Sequence, residues 1–444
     1  METDTFMSMD LQDKKVIVIG LGLTGQSCIR FLQQQGASVS AMDSRHELIV
    51  SMDIPIYLGE FDQDKLMQAE LVVVSPGVNP NQPAIQACVA AGVEVIGDVE
   101  LFARFNRAPV IAITGSNGKS TVTSLVAHIL QKAGKTVAMG GNIGTPALDL
   151  LAEKTEFVVL ELSSFQLEMT SSLHPASATI LNISDDHLDR HITMHAYWRA
   201  KQKVYSGCAH VVANRDDHLT LPDLEEEEKA VDCLFGLSQS DQGFSWDAEK
   251  GAILLDGKVF VKANTCALAG LHNVMNIQAA AALVMAVGIK PAQIKKAIVD
   301  FEGLPHRCQL VSQFAGKQWI NDSKATNVGA TLAALQGLAP QKQGKLVLIA
   351  GGEGKGADFS SLRQAFNHDV DLLITLGKDG KQLAILKDGA VEVKTLQQAV
   401  AYAHAHTQEG DMILLSPACA SLDMFKNYQH RGEEFSKAIV GLSS

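Results

Sequence analysis

Short β-branched runs alternate with amphipathic helical stretches along all 444 residues, and this alternation is the strongest constraint on the fold. Such a pattern predicts parallel α/β layers. Val16–Ile19, Ser38–Met42, Leu71–Val74 and Val93–Ile96 read as the strands of a first domain. Val110–Ile113, Phe157–Leu160, Thr179–Leu181 and Val211–Ala213 read as a second series, and Gln318–Ile320, Lys345–Ile349, Leu372–Thr375 and Met412–Leu415 as a third. Pro and Gly interrupt the periodicity near Asn106–Pro109 and Gly303–Pro305, so domains are expected at 1–106, 107–303 and 304–444. That length suits about three domains at roughly 100–200 residues each.

Composition narrows the class. With 46% hydrophobic and 19% charged residues, the chain is no disordered, collagen-like or disulfide-scaffold sequence. A formal charge of −12 argues against wrapping nucleic acid through bulk electrostatics. The seven cysteines are odd in number and never spaced Cys-x-x-Cys, which fits reduced thiols. Met1–Asp10 carries no basic-then-apolar signal, and no apolar run approaches the roughly 20 residues of a membrane span. The expectation is a cytoplasmic protein with no membrane or nucleic-acid partner. The acidic run Glu225–Glu228 reads as solvated surface.

Two glycine loops compete for the nucleotide. Gly20-Leu21-Gly22-Leu23-Thr24-Gly25 follows a strand and opens a helix, with Asp43 at the end of the next strand. The glycines allow a diphosphate close to the helix N-terminus, and the acid can hold a ribose hydroxyl. The loop reports a diphosphate and a ribose and leaves open whether a nicotinamide is attached. The second loop, Gly115-Ser116-Asn117-Gly118-Lys119-Ser120-Thr121, follows the strand ending at Ile113. It is a shortened P-loop, with its first glycine nearer the lysine than in G-x-x-x-x-G-K-[ST]. Val122, Leu125, Val126, Ile129 and Leu130 then repeat at helical spacing, and Gly134 stops the helix. A helix N-terminus there suits a triphosphate, with Lys119 on its β/γ oxygens and Ser120 or Thr121 on Mg²⁺. An enzyme that uses ATP on a nucleotide-linked substrate needs both loops.

Ligands in open α/β sheets gather beyond the carboxyl ends of strands. One such end runs into Glu161; another leads through Asn182-Ile183-Ser184 to Asp185-Asp186-His187. Mg²⁺ prefers oxygen ligands, so chemistry alone weights Asp185 and Asp186 as heavily as His187. Tyr197–Tyr205 reads as a helix with an aromatic and a basic face, and nothing in its spacing singles out Lys201.

Taken together, Gly115–Thr121, Glu161–Glu168 (ELSSFQLE), Asp186–Arg190 (DHLDR), Leu304–Arg307 (LPHR), Asn321–Gly329 (NDSKATNVG) and Ser416–Asn427 (SPACASLDMFKN) resemble the Mur ligases over essentially the whole chain, most closely the D-glutamate-adding members. The resemblance implies a Rossmann-like N-terminal domain, a P-loop-type central ATPase domain and a Rossmann-like C-terminal domain. It also implies ATP-dependent joining of D-glutamate to UDP-N-acetylmuramoyl-L-alanine through an acyl phosphate, by a monomer. On this reading the first loop holds UDP, with Leu23, Thr24, Asp43, Arg45, Gly77 and Asn142 toward that substrate. Gly115, Ser116, Asn117, Gly118, Lys119, Ser120 and Thr121, with Asn276, Arg307 and Asp322, face ATP. Ser120, Glu161, His187 and Lys201 face two Mg²⁺ ions, with Lys201 carried as a carbamate, and Lys119, His187 and Lys201 are the catalytic set. Lys324, Thr326, Lys355, Ser421 and Tyr428 face D-glutamate. Two positions depart from the family pattern: Tyr428 stands where phenylalanine is expected, and the spacer from His187 to Lys201 is slightly short.

Overall fold

The computed structural model describes residues 9–48, 52–186, 188–223, 230–268 and 270–443. His187 and the run Glu225–Glu228 lie outside the described residues, as does all but the end of Met1–Asp10. The chain forms two compact units: one runs to Phe244 and takes in Gln278–Ala297, and the other holds Ser245–Ile277 and the chain from Ile298 onward.

The first unit contains two sheets. One has five parallel strands in the order Ile56–Leu58, Ser38–Asp43, Lys15–Ile19, Leu71–Val74, Glu94–Gly97. The strand order reverses beside Lys15–Ile19, which leaves a crevice at the ends of Ile19 and Val74 where a ligand can enter. The other has six parallel strands in the order Cys233–Phe235, Val211–Asn214, Ser177–Ile180, Val110–Thr114, Phe157–Glu161, Val137–Gly141. Strands covered on both faces read as unbroken apolar runs, and Leu71–Val74 and Val110–Thr114 are buried at every position.

Polar ties join the two sheets' layers. Ser27 Oγ donates to Asp149 Oδ1 at 2.7 Å. Glu100 accepts from the backbone N–H groups of Ser171 and Ser172 at 2.8 and 3.0 Å, and Asp98 Oδ2 accepts from Gln166 Nε2 at 3.1 Å.

In the second unit a six-stranded sheet runs Gln309–Ser312, Gln318–Asn321, Met412–Leu415, Leu346–Gly351, Leu372–Leu376, Val391–Glu392. Only the pairing of Gln309–Ser312 is antiparallel. Helices Val328–Leu338 and Leu362–Asp369 contribute to one apolar cluster, and Leu396–Ala405 and Tyr428–Val440 to another. Met412–Leu415 is inserted between Gln318–Asn321 and Leu346–Gly351, so three strand ends carrying Asp322, Ser416 and Gly351 come together.

All of the strands expected from the sequence are present. Those not expected are short edge strands (Ile56–Leu58, Cys233–Phe235, Val391–Glu392), the edge strand Val137–Gly141, the antiparallel Gln309–Ser312, and a small sheet that includes Ala252–Leu255 and Lys258–Lys262. Asp256-Gly257, both at positive φ, joins the last two, and Asp-Gly between apolar runs was a readable hairpin signal. The basic-aromatic helix begins at Met194 rather than Tyr197, because Thr193 caps it by accepting from Ala196 N at 3.1 Å.

Asp98 has a measurable consequence. Burial holds its carboxyl up at about 6, against about 3.9 in an unfolded chain. The folded form then binds more protons than the unfolded one between those values, so this group's contribution lowers stability as pH rises from about 4 to about 6. Asp98→Asn keeps the acceptor toward Gln166 and should flatten that part of the curve while raising stability at pH 7, read by urea unfolding across pH. An unchanged pH dependence would show that the charge is solvated.

Candidate active site

The phosphate loop is built by its neighbours. Strand Val110–Thr114 runs into Gly115 at φ +146, and a Cβ there would stand 3.0 Å from Leu181 Cβ, so the close approach needs glycine. Gly118, left-handed at φ +86, turns the chain into helix Lys119–Lys132. Asn182 clamps the loop: its carbonyl accepts from Ser116 N at 2.9 Å. Its side chain accepts from Asn117 N at 2.8 Å and donates to Asn117 O at 3.1 Å. Ser116 Oγ sits 3.0 Å from Tyr197 Oη and accepts from Ser184 N at 2.9 Å. The loop is thereby fixed around the positive end of a fourteen-residue helix. Lys119 Nζ folds back over it, donating to Gly115 O at 2.8 Å and Ser116 O at 2.9 Å, and Ser120 and Thr121 are buried in the first turn.

Glu161 closes strand Phe157–Glu161 beside this loop. Its side chain is 3% exposed. Oε1 accepts from Asn142 Nδ2 at 2.9 Å, while Oε2 is buried with no hydrogen-bond partner among the described residues. A Cβ at Gly141 would come 2.4 Å from Glu161 O, so glycine is what lets Asn142 N reach that carbonyl at 2.8 Å. A buried carboxylate oxygen left unmatched costs about 1–3 kcal/mol or more. A hard cation with oxygen ligands would satisfy it, so this donor set fits Mg²⁺.

Lys201 is the least expected member. It lies on the buried face of helix Met194–Gln202 with Tyr197 and Ala200 and is only 1% exposed. Nζ donates to Gly115 O at 3.0 Å and Thr114 Oγ1 at 3.3 Å, and stands 4.7 Å from the centre of the Tyr197 ring. Burial, reinforced by the Lys119 charge, pushes its pKa well below that of an ordinary lysine, against the pull of Asp186 and Glu161. Asp186 is half-buried and its charge acts on Lys201, whereas Asp185 is exposed. His187 lies outside the described residues.

At the first glycine loop, Gly20 has φ +90 and a Cβ on Gly25 would fall 1.8 Å from Gly20 O, which forbids any side chain there. Asp43 is buried with both oxygens engaged. Leu21 N donates to Oδ2 at 2.8 Å, and Arg45 Nε and Nη2 donate to Oδ1 and Oδ2, each at 2.7 Å. Those bonds, Arg45's first, hold the carboxyl far below the usual range. Asp43 thus anchors loop and guanidinium, and the half-exposed Arg45 side chain is what meets solvent. Leu23 is 77% exposed at the start of the helix; Gly77 and Asn142 are exposed as well, and Thr24 is half-buried.

In the second unit, Asp322 is buried beyond strand Gln318–Asn321 and accepts from Ser416 Oγ at 2.7 Å and Cys308 N at 3.2 Å. Burial raises its pKa to about 7, so near neutrality it can donate as well as accept a hydrogen bond. Arg307, half-buried, opposes that rise through its charge. Lys324 Nζ stands 4.7 Å from the Tyr428 ring centre. Thr326 N bonds Lys324 O at 2.7 Å, Ser421 is buried, and Lys355 is exposed at φ +53. Asn276 donates to Asn273 Oδ1 at 3.0 Å.

Sequence reasoning did not single out Tyr197, Asn182 or Arg431. Asn182 was visible as the residue after a strand end, and Tyr197 as the aromatic one turn before Lys201. Arg431 gave no signal.

The chain matches the models for the Mur ligase MurD-like N-terminal domain over residues 14–97, the Mur ligase middle domain over 113–284 and the Mur ligase glutamate ligase domain over 306–419. It is 45% identical over 430 residues to a UDP-N-acetylmuramoylalanine–D-glutamate ligase of Haemophilus influenzae, covering 96% of this chain and 98% of that protein. It is 46% identical over 440 residues to one of Shigella boydii, with the same coverage. Two Thermotoga maritima structures share the fold. The UDP-N-acetylmuramate-alanine ligase has a TM-score of 0.59 at 21% identity, covering 97% of this chain and 100% of that one. The MurF ligase solved with ADP has a TM-score of 0.60 at 16% identity, covering 99% and 98%.

Lys119→Ala should lower nucleotide-dependent turnover by at least about 10²-fold, the scale of losing one preorganised charge donor. Steady-state ADP release measures it, and a value within tenfold of the parent enzyme would remove the loop from the chemistry.

Proposed function

The chain belongs to the Mur ligase family, and we infer that the cluster around Gly115 is where it phosphorylates a carboxylate with ATP. The protein is an ATP-dependent ligase that joins D-glutamate to UDP-N-acetylmuramoyl-L-alanine in peptidoglycan precursor synthesis. One observation carries the placement: two lysine amines converge on the carbonyl of Gly115 beside a buried carboxylate with an unmatched oxygen.

The reaction must bring a carboxylate to a triphosphate, two groups that repel. A substrate carboxylate oxygen attacks the γ-phosphorus, ADP leaves, and an acyl phosphate forms. The amine of D-glutamate, in its neutral form, then attacks the acyl carbon, and the tetrahedral oxyanion collapses to the amide as phosphate departs with its bonding pair and the nitrogen loses a proton to solvent. Lys119 would turn from the loop carbonyls to the β/γ oxygens, while the helix N-terminus faces the charge that spreads over the phosphoryl group. Ser120, Glu161, His187 and Lys201 would hold Mg²⁺, which when bound supplies the positive charge that lets the two anions meet.

Lys201 earns its place in this set as a carbamate. A desolvated, neutral amine adds CO₂, losing a proton and becoming a carboxylate-like anion. Its low pKa supports this, because the unprotonated amine is the reactive form. The neighbouring Lys119 charge, which disfavours an ammonium here, favours the anion.

We assign the crevice of the first sheet to UDP, through Leu23, Thr24, Asp43, Arg45 and Gly77, with Asn142 toward the muramoyl end; no nicotinamide is needed. Asn276, Arg307 and Asp322 are assigned to the nucleoside and phosphates of ATP, and Lys324, Thr326, Lys355, Ser421 and Tyr428 to D-glutamate. No described helix is long and apolar enough to cross a membrane; a cytoplasmic monomer completes the proposal.

Two experiments test the reading. ADP release with UDP-N-acetylmuramoyl-L-alanine should depend on D-glutamate and Mg²⁺ and be far slower with L-glutamate; equal rates with both enantiomers would sink the assigned substrate. Lys201→Ala should be inactive and partly restored by short carboxylates, whereas Lys201→Arg should not be. Labelled bicarbonate should give a carbamate carbon resonance that Lys201→Ala lacks. Full activity of the alanine variant would end the carbamate assignment.

A further inference from the structure

Arg431 is 2% exposed, yet among the described residues none of its hydrogen bonds reaches a carboxylate. Nε donates to Ser323 Oγ at 3.0 Å and Nη2 to Ser323 O at 2.8 Å, while Nη1 donates to Cys419 O at 3.1 Å and reaches Gly351 O at 3.5 Å. A Cβ at Gly352 would lie 3.3 Å from Nη1, so that glycine leaves room for the fork. Burial lowers the guanidinium to a pKa of about 10, which leaves it charged at neutral pH. Burying a cation against uncharged acceptors is expensive, and an apolar residue would fill the space at less cost, while a lysine would bring a more strongly hydrated charge without the planar set of donors. The position therefore asks for a fork.

The three acceptors lie on three separate strand-end loops. Ser323 is next to Lys324 and two residues beyond Asn321, where one strand ends; Gly351 ends another, four residues before Lys355; Cys419 is two residues before Ser421. Arg431 itself sits one turn after Tyr428 in helix Tyr428–Val440. Ser323 Oγ also donates to Tyr428 O at 2.8 Å, closing the set. We propose that Arg431 is the positioning residue of the amino-acid site, holding the three loops in register through one planar fork and adding a fixed positive charge behind a pocket for a dicarboxylate. Its remaining carboxylate neighbours, Asp322 and Asp423, interact with it through charge alone. The proposal rests on the assignment of D-glutamate to Lys324, Lys355 and Ser421.

Arg431→Lys keeps the charge and loses the fork; Ser323→Ala removes one acceptor and leaves the guanidinium in place. For Arg431→Lys, the KM for D-glutamate should rise at least about tenfold, the scale of one charge-assisted hydrogen bond. Its KM for UDP-N-acetylmuramoyl-L-alanine should stay within twofold, and acyl phosphate formation without D-glutamate, followed as a single turnover of ADP, should be unimpaired. Ser323→Ala should shift the D-glutamate KM in the same direction by a smaller factor, and it decides the matter if Arg431→Lys does not fold. An unchanged D-glutamate KM, or equal rises for both substrates, would overturn the proposal. Ser421→Ala run alongside separates the two failures. If it raises the D-glutamate KM while Arg431→Lys and Ser323→Ala do not, only the role of Arg431 falls; if none of the three does, the pocket assignment falls with it.

Discussion

The phosphate loop of the first unit is organised around one carbonyl. Lys119 Nζ and Lys201 Nζ both donate to Gly115 O, at 2.8 and 3.0 Å. Two ammonium ions that close would repel by several kcal/mol at an effective dielectric near 20, and Lys201 is the one taken out of water. It is therefore the amine whose proton is held less tightly than that of an ordinary lysine. Gly115 makes this possible twice over: its positive φ aims the carbonyl, and its missing side chain lets Leu181 close over the loop. A side chain at that position would press on Leu181 and on Asn182, which clamps the loop.

Loop and carboxylate are held by devices that do not take part in the chemistry. Asn182 pins the loop backbone from the next strand, and Gly141 with Asn142 pins Glu161 from the strand on the other side. Gln166 completes a capping box with Ser163 just beyond Glu161 and is itself held by Asp98 from the neighbouring layer. The strand end is thus fixed from three directions, so one carboxylate oxygen can remain buried and unmatched without the turn relaxing to satisfy it.

What could be read from the sequence follows from the range of each signal. Strand, glycine loop and helix at Val110–Leu130 are local, so periodicity and the Gly-Lys-Ser spacing were enough. Glu161 was legible as a carboxylate ending an apolar run. Lys201 was not, because on the sequence it is one of three basic residues in a short helix. Its burial is decided by packing against Tyr197 and the loop, some eighty positions away. Asp43 was legible as an acid at the end of the second strand, but the motif does not reveal that its oxygens also hold Arg45 and Leu21, an engagement among near neighbours. The missed edge strands are two to five residues long, too short for alternation to register, and are carried by a partner strand rather than by their own pattern.

The two units handle buried charge in opposite ways, a difference that suits the ligands proposed for each. Around Gly115 the protein places an amine where burial and the Lys119 charge disfavour the ammonium form, the condition that the proposed carbamate requires. At Arg431 it keeps a guanidinium charged among carbonyls, since that cation resists deprotonation far more strongly than a lysine. A lysine there would be driven neutral by the same desolvation that acts on Lys201, and the loops would lose both their common anchor and their positive field. The pKa each side chain starts from therefore suits the role proposed for it: the arginine stays a cation when buried, and the lysine is the one that burial brings toward the neutral amine.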